Sequence, residues 1–308
     1  MGRYLLRRLL QLIPVFFGTT LLVFLLVWWV PGDPFAGKCG ERACPANYVA
    51  IMTEKFHLDR PIYVQYFEYM KNLLQGDFGT TFSGRSISDL ISQSYPITIK
   101  LAIVALIIEA AIGVTAGVLS GLRRNGFLDN LVLVSTLVFL ALPIFVLGFL
   151  MRDVLGAGLG LFRPTVPSNP GFSDLLVPGF VLGSASMAYI ARLARTSIAE
   201  NRSADYVRTA IAKGLPMKRV VGIHLLRNSL IPVITYLGTD LGALMGGAIV
   251  TEGIFNINGI GGQVYRAVVT KEGATVVSIV VILVLVYLVS NLIVDLLYAA
   301  LDPRIRYE

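Results

Sequence analysis

Apolar and polar positions alternate along this 308-residue chain in long blocks rather than short periods. Leu9–Val30 is apolar and carries no charge. Further apolar runs follow at Ile97–Leu122, Phe127–Met151, Leu175–Ile198, Leu230–Val250 and Ala274–Leu301. A helix that crosses the hydrocarbon core of a bilayer needs roughly 20 such residues. The pattern therefore predicts an all-α membrane protein with six transmembrane helices. The first run is longer than the ~7–15 apolar residues of a signal peptide. It closes on Trp28 and Trp29, which suit a membrane interface. It reads as a retained span with its N-terminus inside.

Between the first two runs lies the longest polar stretch, 31–96. It opens on a turn, Pro31-Gly32-Asp33-Pro34. Amphipathic helices are expected over Ala46–Phe56 and Ile62–Leu74. In the latter, Tyr63, Phe67, Met70 and Leu74 recur at helical spacing. A further short helix is expected over Ser86–Ser94. The chain thus divides into an N-terminus and first span (1–30), an extracytoplasmic helical region (31–96) and a five-helix core (97–308) with a polar loop at 199–229. Gly113, Gly117 and Gly121 recur every four residues in the second span, as do Gly238, Gly242 and Gly246 in the fifth, which lets helices approach closely. Pro143 falls inside the third run, where neighbouring helices are expected to re-satisfy the backbone.

Composition agrees with the blocks. The chain is 55% hydrophobic and 15% charged, with a mean hydropathy of +0.72. Soluble domains carry nearer a quarter charged residues. The net charge of +7 reads as an excess of Lys and Arg in cytoplasmic loops rather than as a nucleic-acid patch, for which stacking aromatics on a basic face are missing. Arg123 and Arg124, the basic residues from Arg192 to Arg227, and Arg304 and Arg306 all fall on one side of a six-span topology. Both termini are then cytoplasmic. Cys39 and Cys44 share one outer loop, where a disulfide is chemically allowed and two free thiols are the alternative.

Candidate catalytic chemistry is sparse. There is no Walker A sequence, no His-Glu-x-x-His and no Gly-x-Ser-x-Gly. His57 and His224 are expected on opposite sides of the membrane, so they cannot share a metal. An intramembrane hydrolase would have to work with carboxylates alone. Glu109, Asp240 and Asp295 fall in or near spans, where an ionised group costs at least ~2.5–3.5 kcal/mol on insertion scales. Glu109 and Asp240 are candidates for a polar translocation path that meets a cationic or peptidic substrate. The alternative for each acid is an interhelical hydrogen bond or a side chain reaching the interface.

The most informative polar stretch is Ser203–Pro232. Ala204–Lys213 is expected to be a short helix with Asp205 in its first turn and Lys213 at its end, matching the helix dipole. Gly214 can supply a left-handed stop, and Pro216 can open a second helix. Composition alone fits either a basic helix pair on anionic lipid or a docking element for a partner.

The residues resemble a known family. Arg208-Thr209-Ala210-x3-Gly214 is similar to the EAA loop of ABC importer permeases, with Arg208 at the usual Glu position. Tyr206-Val-Arg-Thr-Ala210 with Ala212-Lys213-Gly214 resembles the form found in dipeptide/oligopeptide permeases. Val30–Pro34, Leu58–Pro61, Gly76–Gly79, Gly253–Phe255, Gly259–Gly261, Asn291–Asp295 and Asp302–Arg306 resemble the B-type subunit of that family. The resemblance implies a type I ABC importer permease fold in a bacterial inner membrane. It implies a homologous C-type permease, two ABC ATPases and an extracytoplasmic substrate-binding protein as partners, besides membrane lipid. Nucleic acid is not among them. ATP and Mg would be bound by the ATPases, and this chain would hold no cofactor and catalyse nothing. Asp205, Tyr206, Arg208, Thr209, Ala210, Ala212, Lys213 and Gly214 would couple to an ATPase. The implied cargo is dipeptides or oligopeptides, with nickel or haem as the alternative within the same architecture. A structural membrane scaffold, which would bind partners without ATP-dependent flux, is a third class.

Overall fold

The computed structural model describes residues 2–29, 44–55, 59–81, 83–245 and 248–301. Its helices, in chain order, are α1 (Gly2–Trp29), α2 (Ala46–Lys55), α3 (Ile62–Leu74), α4 (Ile87–Leu122), α5 (Phe127–Ala141), α6 (Ile144–Phe149), α7 (Leu176–Asn201), α8 (Asp205–Ala212), α9 (Met217–Arg219), α10 (Leu226–Ser229), α11 (Ile231–Met245), α12 (Ile249–Ile254), α13 (Ile260–Val269) and α14 (Gly273–Leu301). Two π-helical stretches, Leu150–Gly158 and Val220–Leu225, extend α6 and join α9 to α10. Among the described residues the only strand-like pairing is an isolated bridge between Thr80 and Ser86.

Among the described residues four helices are long and apolar enough to cross a membrane, and the number is six if each of two bent pairs is one span. The bent pairs mark where the sequence pattern misleads. The third apolar run is not one rod. Leu142, ahead of Pro143, is extended at φ −83°, ψ 120°, because the proline ring disfavours helical backbone at the preceding residue. Pro143 then caps α6, and the axis turns by 99°. Of the fifth run, α11 covers Ile231–Met245, and α12 (Ile249–Ile254) is a second, short helix. A second departure goes the other way. The short helix expected at Ser86–Ser94 continues through Pro96 into the second span as a single α4. The helix α3 spans the expected residues, and α2 covers Ala46–Lys55 of the expected Ala46–Phe56, with Phe56 outside the described residues.

The chain forms two compact units, Met1–Thr98 with Met245–Glu308, and Ile99–Leu244. In the first, Phe24 of α1, Tyr66, Met70 and Leu73 of α3 and Val277 and Val281 of α14 make one buried cluster. Ile87 and Leu90 of α4, Ile260 and Val264 of α13 and Ile279 and Leu283 of α14 make another. The extracytoplasmic region expected from the sequence is therefore built onto the first and last spans through α3.

In the second unit the glycine stripe of α4 lies against α7. A Cβ at Gly117 would stand 2.4 Å from the Ala191 carbonyl oxygen, and one at Gly113 would stand 2.8 Å from that of Met187. Only glycine fits at such an approach. Near the same end of α7, Arg195 grips Asp129 of α5 with Nε at 2.5 Å and Nη2 at 2.7 Å. The Ser120 hydroxyl donates to the same carboxylate, and the amide of Asn125 donates to it at 2.8 Å. Asn125 is left-handed at φ 63°, and this bond holds the turn between α4 and α5.

Candidate functional site

The basic loop predicted to dock a partner is an ordered, outward-facing helix. Its inner face is apolar. Val207 and Ala210 are buried with Ile198, Val220 and Leu225, and Leu122 and Leu215 pack on the cluster. Its outer face is open: Asp205, Tyr206, Arg208, Thr209, Ala212, Lys213 and Gly214 are all exposed. Of the residues expected to couple, only Ala210 is turned inward.

Local hydrogen bonds make the helix rigid at both ends. The Tyr206 hydroxyl donates to Oδ1 of Asn201 at 2.7 Å. Arg202 donates to the Leu122 carbonyl at 2.7 Å, tying the loop to the end of α4. At the other end, the amide of Gly214 bonds the Ile211 carbonyl at 2.9 Å, and that of Leu215 bonds Ala210 at 3.3 Å. Together these form a Schellman stop, with Gly214 at φ +72° supplying the left-handed residue. Nothing lies within 4 Å of a Cβ placed on Gly214, so backbone conformation rather than crowding selects glycine. Pro216 sits just outside α9, as its N-cap, rather than in its first turn. The Arg208–Asp205 pair, at 3.9 Å and exposed on both sides, adds little to stability.

The two acids proposed for a path also meet. Glu109 on α4 and Asp240 on α11 have facing carboxyl groups. Glu109 is fully buried, while Asp240 is partly exposed. Cys39 and the Cys39–Cys44 pairing lie outside the described residues.

Besides Asp129, sequence reasoning missed a second buried acid, Glu252. Glu252 of α12 is 0% exposed. Its Oε1 accepts the Thr98 hydroxyl at 2.7 Å, and its Oε2 accepts the amide of Gly262 at 2.7 Å. Thr98 in turn accepts the amide of Ile260 at 2.8 Å. The carboxylate thereby satisfies free N–H groups in the first turn of α13. Burial pushes its pKa up to about 7, against the opposing pull of those bonds and of Arg266. A lone acid two residues past an apolar run carried the only available signal.

Comparison with known proteins supplies the family. Residues 113–307 match the model of the binding-protein-dependent transport system inner membrane component. Residues 1–102 match the N-terminal model of the same class of membrane component. The chain belongs to this permease family. It is an all-α, multi-pass inner-membrane permease subunit. It is 36% identical to the dipeptide transport system permease DppB of Alkalihalophilus pseudofirmus over 331 aligned residues, covering 99% of each protein. It is 36% identical to the glutathione transport system permease GsiC of Escherichia coli K12 and 37% identical to that of Salmonella typhimurium, over the whole of each chain. The family thus accounts for the apolar helices.

Proposed function

We propose that this chain is the translocation subunit of an ATP-driven importer of short peptides, and that loop 199–229 receives the motion of a cytoplasmic ATPase through α8. One observation carries the reading: a short helix pinned to the unit's own core through Val207 and Ala210, with its charged and hydroxyl-bearing face, together with Ile211, left open. A helix that merely lay on lipid would turn its apolar face outward. Here Val207 and Ala210 point inward, and charge and hydroxyl groups are offered to a partner. Pinning also lets the helix transmit a push as a rigid body.

In this reading both termini are cytoplasmic, in keeping with the Lys and Arg bias of that face. A homologous permease, two ATPases and a substrate-binding protein complete the machine, with ATP and Mg held by the ATPases. The chain itself is a conduit, without catalysis or a resident cofactor. Peptide cargo is preferred to nickel or haem because dipeptide and glutathione are the cargoes in the names of the similar permeases.

Gly214→Trp tests the coupling. A side chain at φ +72° strains the stop by about 1–3 kcal/mol, and its bulk stands on the docking face. Expected is loss of peptide uptake with normal membrane insertion, read by membrane fractionation beside labelled-peptide uptake. Normal uptake by that variant would sink the assignment.

A further inference from the structure

The second unit holds a group of side chains whose polar capacity is unspent. Glu109 is 0% exposed, its carboxyl oxygens meet no donor other than the facing carboxyl of Asp240, and Oδ2 of Asp240 is likewise buried without a donor. The Glu109 carboxyl is wedged against α7, where a Cβ at Gly183 would stand 3.2 Å from its Oε2. Among the described residues no Lys, Arg or His forms a salt bridge with either acid. One turn before Asp240 on the same helix, Tyr236 lies within electrostatic reach of both carboxyls. Its ring packs 4.6 Å from that of Tyr189 on α7, tilted by 38°. Its hydroxyl donates to the Ser186 hydroxyl at 3.3 Å. Tyr189 is 47% exposed, and Asp240 is partly exposed.

Acceptors without donors, beside two aromatic faces and without a base, suit one chemistry. An ammonium group carries three donors and a positive charge, and aromatic faces attract it within about 6 Å of the ring centroid. Buried charge of one sign within a span is costly until an opposite charge arrives. The geometry points to a recognition site for a primary ammonium, the free N-terminus of a passing peptide, formed by Asp240, Tyr189 and Tyr236 with Glu109 behind Asp240. The identity of the cargo rests on the importer reading; the ammonium chemistry does not. Asp240 is the contact group, because it is the open member of the acid pair. Glu109 is a positioning residue: its buried carboxyl faces that of Asp240 and helps to hold it in place, and of two carboxyls this close only one carries the charge.

The test uses the full chain with its co-purifying subunits in nanodiscs. Saturation-transfer NMR is recorded with L-alaninamide and with N-acetyl-L-alaninamide, which lacks the ammonium. The expected result is a signal for the first probe and a far weaker one for the second. Asp240→Asn should weaken alaninamide binding about tenfold, the equivalent of roughly 1.4 kcal/mol. Asp240→Glu should retain most of it, and Tyr189→Ala should weaken it several-fold by removing a cation–π face. Equal signals from the two probes, no alaninamide signal in the unaltered complex, or an unchanged signal in Asp240→Asn would overturn the site. The last result would make the acid pair a purely interhelical contact. Uptake of labelled dialanine is read separately. Asp240-dependent alaninamide binding in a complex that imports no peptide would leave the site standing and contradict the peptide reading. Peptide import without an alaninamide signal would do the reverse.

Discussion

Glu252 shows how much one residue can organise when it is buried. Its two oxygens satisfy the Thr98 hydroxyl and the Gly262 amide, and Gly259 approaches so closely that a Cβ there would stand 2.4 Å from Oε2. The carboxylate is thus enclosed by the turn it stabilises. With its pKa raised to about 7, the folded state holds this proton more tightly than the unfolded chain does. The stability that follows from the raised pKa is complete below the ordinary glutamate value and is lost as pH rises through about 7. Arg266 is the charged neighbour that opposes the shift. Thermal unfolding of the purified chain should therefore show a melting temperature that falls between pH 4.5 and pH 7 by more than it does in Glu252→Gln, whose side chain does not titrate. Parallel profiles for the two proteins would remove Glu252 from the account.

Among the elements, α4, α5 and α7 are held by two devices of opposite chemistry. The glycine stripe lets α4 and α7 touch through backbone atoms, and the Asp129–Arg195 pair adds a charged clasp at one end. Asp129 is 1% exposed and Arg195 18%, so water cannot replace the carboxylate if it is removed. Asp129→Ala should destabilise the chain by about 3–5 kcal/mol, the usual cost of leaving one member of a buried pair alone. Denaturant titration of the purified protein measures it. A loss below about 1 kcal/mol would mean that the pair behaves as a surface contact. The stripe was legible in the sequence because four-residue glycine spacing has one physical use in an apolar helix. The clasp was not, because its partners lie 66 positions apart and each looked like an ordinary charge at a helix end. The same limit hid the break at Pro143. An apolar run records that a segment is dehydrated but not the direction in which its axis runs. Conversely, Ser86 to Leu122 reads as two pieces because Pro96 and the polar residues before it interrupt the pattern, while α4 absorbs the proline. The stop after α8 was readable, since Gly214 followed by Leu215 and Pro216 states it in local chemistry alone, while the helix itself is one residue shorter at each end than the expected Ala204–Lys213.

At the scale of the whole molecule, the chain has helices for a membrane, an exposed helix fixed to its own unit and no Walker A sequence. In the proposed reading the motion comes from a partner ATPase, and α8 receives it. The glycine stop, the inward apolar face and the ties to Leu122 and Asn201 all fix α8 against the unit. A push on its polar face would reach α4 and α7 rather than dissipate in a loop. The most direct test is purification of the tagged chain from its native membrane in mild detergent, with mass spectrometry of what accompanies it and an assay of ATP hydrolysis in the eluate. The account predicts a second six-span permease and Walker-containing subunits, with ATPase activity that Gly214→Trp diminishes by weakening their hold on α8. A chain that elutes alone and without ATPase activity, under conditions that keep a known importer intact, would contradict it.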